Sequence, residues 1–375
     1  EPEAVQQQLR NFFARISKAK IEDSEYITAT ALDFCRKQKL KEAMLKSVKL
    51  LKNSSFDEIS QVINEALKLG SDSNFGHDYL KDFEQRFEFK SRNPISTGWD
   101  EIDKITKQGL GSGELGIVIA PTGAGKSMAL VHIAAAALTA GKNVIYYTLE
   151  LSDTVVGSRF DSCITNVPLN DLSAFKEEIY EKVQMVAGKL IVKEYPTKSA
   201  SCQTLKNHVE KMASRDFKPD MIVVDYGDLL RPISALREKR HELETIYEQL
   251  RAMAQEHECC VWTASQTNRS GLNAEVITME SISEAFNKCF VADFIFSISR
   301  TIEDKLSNSG RIFVAKNRNG PDGIIYPIHM DTRNVTIKIH SSTGETIGEV
   351  EKSAKKRQAQ KLVTLYKKVK KGGNN

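Results

Sequence analysis

Lys126 and Ser127 close the run Ala120-Pro121-Thr122-Gly123-Ala124-Gly125-Lys126-Ser127. Small residues in such a run let backbone N–H groups turn inward around anionic oxygens at the positive end of a following helix. The lysine then neutralises the β- and γ-phosphates, and the serine hydroxyl can ligate magnesium. The chemistry is phosphoryl transfer from a nucleoside triphosphate, with ATP and Mg2+ as the expected cofactors. Ala120 stands where the usual pattern has its first glycine.

Two carboxylates complete that chemistry. Asp225 ends the apolar run Met221-Ile222-Val223-Val224-Asp225, where a charge would be costly to bury without a cation. It is the candidate metal ligand beside Ser127. Glu150, in Tyr147-Thr148-Leu149-Glu150-Leu151, is the candidate base or orienting group for the attacking water. A solvent-facing glutamate at a helix start is the other reading of Glu150.

These residues need a scaffold that presents them at strand ends. The runs LGIVIA, NVIYYTL, KLIVKE, MIVVD, CCVWTAS and ADFIFSI alternate with helical segments. Several are apolar throughout, as strands buried on both faces must be. The expected fold is therefore α/β, a parallel sheet with helices on both sides. RIFVAK, IIYPIHM and NVTIKIH follow as shorter, antiparallel strands. Upstream, residues 27–51 read as a basic helical hairpin. Ser55-Phe56-Asp57-Glu58 is a capping box that opens an amphipathic helix over 55–69. Its stripe of Ile59, Val62, Ile63, Ala66 and Leu67 packs either within its own domain or on an adjacent subunit. The organisation expected is a helical remnant of an N-terminal domain over 1–52, linker helix and linker over 53–94, an ATPase domain over 95–345, and a basic tail over 346–375.

Composition narrows the classes. The net charge of +4 over 375 residues is too small to argue nucleic-acid binding, so any such site must be a local patch. No apolar run is long enough to span a bilayer, which excludes a membrane-spanning helix from the expected partners. The six cysteines and seven histidines show no metal-ligand spacing, and buried reduced thiols are expected. The chain opens on Glu1 rather than Met, so its natural start is expected upstream.

Taken in order, the motifs resemble those of the DnaB-like replicative helicases, and among them those of T-even-type phages, over residues 54–345. Ser96-Thr97-Gly98-Trp99-Asp100 and the residues up to Leu115 are similar to the family segment before the phosphate loop. Glu150 and Arg159, nine residues apart, match its catalytic glutamate and an arginine near the nucleotide. Asp225-Tyr226 matches its metal-binding strand. Ser265-Gln266-Thr267-Asn268-Arg269 resembles the segment whose glutamine senses the γ-phosphate and relays to a DNA loop. Glu284, nine residues before Asp293, fits the next motif and is grouped with the DNA-facing residues. Lys316-Asn317-Arg318-Asn319-Gly320-Pro321 resembles the hairpin whose lysine and arginine reach a neighbouring subunit's nucleotide. One departure stands out: Ser283-Glu284-Ala285-Phe286 replaces Arg-Glu-Ser-Gly, so a phosphate-contacting arginine and glycine are absent.

The resemblance implies a RecA-like ATPase core in a homo-hexameric ring, with single-stranded DNA in the channel and forked DNA as substrate. It implies 5′-to-3′ travel, primase and helicase-loader partners, and cytoplasmic placement, in a bacterial host if the protein is phage-encoded. Two basic loops are the expected DNA contacts: Arg231, Arg237, Lys239 and Arg240 in the first, Arg269 in the second. Solvated basic loops are the alternative. A filament-forming RecA-class strand-exchange ATPase and a non-motor ATP switch similar to the circadian-clock ATPases would share this core. The Lys-x-Arg-Asn-Gly-Pro hairpin and the linker helix favour the ring.

Overall fold

A computed structural model describes residues 24–51, 56–68, 78–81, 83–84, 92–233, 239–267, 274–278, 290–356 and 359–360. Two compact units divide between Phe89 and Lys90.

In the first unit, α1 (Ser24–Leu51) and α2 (Phe56–Lys68) pack on each other. The expected hairpin over 27–51 is instead one helix of 28 residues. The physical reason is plain: the segment holds no glycine or proline, and its Ala, Leu, Lys and Glu residues favour an unbroken helix. Ala43 and Ser47, one turn apart on α1, are buried, as is Ala66 on α2. Ile59, Val62 and Ile63 are half-buried, and Leu67 is exposed. Ser55, which opens the proposed capping box, lies outside the described residues.

The second unit is built on one sheet, ordered β3-β2-β4-β5-β1-β6-β7-β8-β9. Its parallel strands are β1 (Leu115–Ala120), β2 (Val144–Thr148), β3 (Leu190–Glu194), β4 (Met221–Asp225), β5 (Cys260–Gln266) and β6 (Phe294–Ser299). The antiparallel extension is β7 (Ser309–Asn317), β8 (Ile325–Asp331) and β9 (Thr336–Ile339). Each apolar run read from the sequence is thus a strand. Side chains alternate across the sheet, so Val118 and Ala120 enter one core cluster while Leu115, Ile117 and Ile119 enter the other. The first cluster receives α4 (Lys126–Thr139) and α5 (Asp153–Thr165), which follow the short α3 (Asp100–Ile105). The second receives α7 (Cys202–Ala213) and α8 (Lys239–Glu256); α6 (Lys176–Gln184) lies between α5 and β3 in the chain.

Two anchors hold the segment before β1. The Arg92 guanidinium pairs with the Glu114 carboxylate at 2.6 Å and donates to the carbonyls of Thr106, Lys107 and Gly109. The Trp99 indole donates to the Ile337 carbonyl on β9 at 2.8 Å. Residues 347–356 are helical, and Val350 packs with Val276, Phe313 and Ile325. The first turns of the Lys-rich segment therefore belong to this unit. Cys202, Cys259 and Cys260 are buried free thiols, while Cys35 is exposed. Among the described residues, no helix is long and apolar enough to cross a membrane.

Candidate functional site

The carboxyl ends of β1, β2, β4 and β5 bring the sequence-predicted nucleotide residues together. Ala120 is the last residue of β1, and its side chain lies wholly in the core. That placement explains the missing first glycine. The chain is still in a strand at Ala120, and left-handed backbone appears only at Gly123 (φ 70) and Gly125 (φ 110). A Cβ on Gly125 would also press on the end of the Met330 side chain, at 2.7 Å, and the left-handed backbone itself strains any larger residue there.

Lys126 is buried behind the loop. Its ammonium donates to the Ala120 and Pro121 carbonyls, both at 3.4 Å, and stands 5.5 Å from the centre of the Tyr226 ring. Burial lowers its pKa, while Glu150, Asp225 and Asp228 oppose the shift. Asp225 has no exposed surface. The Ser127 hydroxyl donates to its Oδ1 at 3.2 Å, and the Tyr146 hydroxyl to its Oδ2 at 2.8 Å. Burial raises the Asp225 pKa; Tyr146, Ser127 and Arg159 pull it down, and Glu150 pushes it further up.

A divalent cation fits this donor set. Ser127 and Asp225 place two hard oxygen atoms side by side, and the aspartate carries a buried charge that its surroundings leave undercompensated. Among the described residues there is no group of three or more His, Cys, Asp or Glu that could hold a metal. Phosphate oxygens and water would complete the shell of a magnesium ion here, as is usual for that ion.

Glu150 lies two residues beyond β2 and is exposed. A turn closed by the Thr148 hydroxyl, which accepts from the Leu151 N–H at 3.1 Å and donates to the Leu151 carbonyl at 2.7 Å, fixes its place. The Leu149 N–H donates to the Asp225 carbonyl at 2.9 Å, which joins this strand tip to the end of β4. Arg159, on α5, exerts its charge on Asp225 from the same face. Gln266 ends β5. Its amide donates to the Thr122 hydroxyl of the phosphate loop at 2.6 Å and accepts from the Tyr226 hydroxyl at 3.3 Å. A glutamine so placed feels any displacement of the loop.

Three residues of this edge went unnoticed in the sequence. Tyr146 looked like one more apolar strand residue, although its position two before Thr148 puts its hydroxyl beside Asp225. Asp228 follows Asp225 by three residues; the second acid in Asp225-Tyr226-Gly227-Asp228 was the available signal. Lys305, on α9 (Ile302–Leu306) between β6 and β7, has its ammonium 4.0 Å from where a Cβ on Gly123 would be. No local pattern marks that lysine, because the sheet alone brings it to the loop.

Lys316 and Arg318 lie elsewhere. Arg318 follows β7, and its guanidinium donates to Asp293 Oδ1 at 3.0 Å and to the Phe290 carbonyl at 3.4 Å. Lys316 donates to the Phe290 carbonyl at 2.6 Å. Asp293 also accepts from Arg251 and from the Leu115 N–H at the start of β1. Leu115 and Ala120 are opposite ends of β1, so this cation pair stands about 17 Å along the strand from the phosphate loop. The hairpin is held there firmly. Asn317 donates to the Ile105 and Pro321 carbonyls, and Asn319 donates to Glu114.

Of the expected DNA contacts, Arg231 and Arg240 are exposed where the first basic loop leaves β4 and enters α8. Lys239 opens α8. Arg237, Arg269 and Glu284 lie outside the described residues.

Residues 94–338 match the family described as the DnaB-like helicase C terminal domain. The chain belongs to that family. The DnaB-like replicative helicase of Enterobacteria phage T4 is 29% identical over 276 residues, covering 70% of this chain and 58% of the relative. The replicative DNA helicase DnaB of Geobacillus stearothermophilus is 28% identical over 251 residues, covering 62% of this chain and 53% of the relative. The chain thus spans little more than half the length of these relatives. In fold, this DnaB-like chain is similar to a solved ATPase domain, with a TM-score of 0.57, 18% identity, and coverage of 69% and 96% of the two chains. A DnaB-like replicative helicase described with its primase interactions gives a TM-score of 0.58 at 16% identity, covering 85% and 80%.

Proposed function

We propose that this chain is the motor of an ATP-driven replicative DNA helicase that works as a ring of six copies around single-stranded DNA. The carrying observation is the separation just described. Phosphate loop, metal aspartate, glutamate and glutamine meet at one edge of the sheet, whereas Lys316 and Arg318 are fixed at the other. A transition-state cation contributes roughly 10³–10⁵ in rate to phosphoryl transfer. Fixed where they are, Lys316 and Arg318 could supply it only to a second copy's nucleotide, so hydrolysis would depend on how neighbours stand.

Each residue then has a task. Lys126 holds the β- and γ-phosphates, and Ser127 and Asp225 would hold Mg2+, which would supply positive charge to offset the charge of the phosphates. Glu150 orients and accepts a proton from the attacking water. Arg159 stabilises the nucleotide from α5. Gln266 reports the γ-phosphate through Thr122. The basic loops after β4 and β5 grip DNA phosphates, contacts that suit movement along any sequence. Primase and a helicase loader are the proposed partners, and the cytoplasm, of a bacterial host for a phage protein, is the proposed setting.

Strand displacement on forked DNA tests the reading. Duplex should be released with ATP and Mg2+ when the encircled strand bears a 5′ tail, and not with a 3′ tail alone. Electron microscopy separates the strand-exchange alternative: closed six-membered rings support the motor, and long filaments on DNA would contradict it.

A further inference from the structure

One carboxylate stands at the root of both candidate DNA loops. Asp228 lies in the 3-10 turn Gly227–Leu229 that follows β4, three residues before Arg231. Its Oδ1 accepts from the Tyr247 hydroxyl at 2.9 Å. Its Oδ2 accepts from the Ser265 hydroxyl and from the Gln266 backbone N–H, each at 3.2 Å. Tyr247 is a fully buried residue of α8, the helix that begins where the first basic loop ends. Ser265 and Gln266 finish β5, immediately before the second loop.

The surroundings make this a stiff junction. A Cβ on Gly227 would meet the Thr263 hydroxyl at 3.1 Å and the Tyr247 ring at 3.3 Å, so the turn lies tight against both side chains. The Lys198 ammonium donates to the Asp228 and Leu230 carbonyls, both at 2.8 Å, and the Arg231 N–H donates to the Ala200 carbonyl at 2.8 Å. The start of the first loop is thereby tied to the same turn. Hydrogen bonds to a charged acceptor are strong and geometrically demanding, so their donors move together or the network breaks.

We infer that Asp228 is a positioning residue that couples the nucleotide state felt by Gln266 to the placement of both DNA loops. When the phosphate loop draws on the Gln266 amide, the strand end shifts against Asp228. The Tyr247 hydroxyl and the turn leading to Arg231 share that carboxylate and follow it. The inference rests on the motor reading above, because it needs DNA at those loops.

Asp228→Asn tests it in the full chain, since the amide turns one acceptor oxygen into a donor facing other donors. ATP turnover is measured with and without poly(dT), and oligo(dT) affinity is measured in ATPγS and in ADP. The expected result is a DNA-stimulation ratio reduced by about five-fold or more, with a similar loss of the affinity difference between nucleotides. A merely structural role would lower turnover alike with and without DNA and leave both ratios at the wild-type value, which would overturn the inference. Tyr247→Phe removes a single donor and should reduce the ratios by about two-fold. If Asp228→Asn does not fold, Tyr247→Phe decides, and wild-type ratios in it overturn the coupling. Absence of DNA stimulation in the wild type would instead sink the motor reading itself.

Discussion

The two ends of β1 differ in what they leave unfinished. At its carboxyl end Ser127 bonds to Asp225 and Gln266 to Thr122 of the phosphate loop, while three acids, Glu150, Asp225 and Asp228, act on one buried lysine. Besides Lys126, that edge holds Arg159, which acts on Asp225, and Lys305, whose ammonium lies beside Gly123. At its amino end Arg251 and Arg318 share the buried Asp293, and Lys316 adds a third cation. That edge has positive charge and no phosphate loop. The length of β1 between them keeps the Lys316–Arg318 pair from reaching the phosphate loop of its own chain. Two copies, placed amino edge to carboxyl edge, would bring the pair to a phosphate loop.

Breaking either end should have unequal consequences. Arg318→Ala is expected to have the largest effect, lowering ATP turnover by about 10³–10⁵ while leaving ATP affinity intact, as read by steady-state hydrolysis and fluorescent-nucleotide titration. A loss of affinity in that variant would place the arginine's role in binding. Glu150→Gln keeps the shape of the acid and removes its basicity, so turnover should fall by roughly 10²–10⁴ with nucleotide and rings retained. Hydrolysis at the wild-type rate would assign the water to another group.

On folding stability, Asp225→Asn should give a small effect, and of opposite sign. Burial raises the Asp225 pKa in the folded chain, so the folded form binds that proton more tightly than the unfolded one. Its contribution favours folding at low pH and declines as pH climbs through the raised value. At neutral pH the ionised carboxylate opposes folding until a cation offsets it. Without Mg2+ and nucleotide, Asp225→Asn should therefore melt about 2–4 °C above wild type, and it should lose the further rise that Mg2+ with ATP confers on wild type. A lower melting temperature would show that the hydrogen bonds from Ser127 and Tyr146 outweigh the buried charge.

The carboxyl edge was largely legible in the sequence because its chemistry is local. A phosphate loop needs contiguous small residues, and a metal aspartate needs an apolar strand before it, so Lys126, Ser127 and Asp225 announce themselves. Gln266 was found only through the family pattern. Its link to Thr122 joins residues 144 apart in sequence, and no spacing rule reaches that far. Asp228, Tyr146 and Lys305 were missed for the same reason: their partners arrive on neighbouring strands. The strands themselves were read correctly from unbroken apolar runs. Residues 27–51 were not, since a helix that is polar around most of its surface carries no stripe to show where it continues.

Mixing two dead variants tests the separation of the two ends most directly. Lys126→Ala loses its own phosphate site and keeps Arg318; Arg318→Ala keeps the site and loses the cation. In rings formed from both, some interfaces set an intact phosphate loop against an intact arginine. Those interfaces should restore part of the ATPase activity that neither variant shows alone, in proportion to their frequency as the mixing ratio is varied. If mixed rings form, verified by mass, and hydrolysis stays at the level of the separate variants, Arg318 does not act on a neighbour's nucleotide and the divided site is wrong.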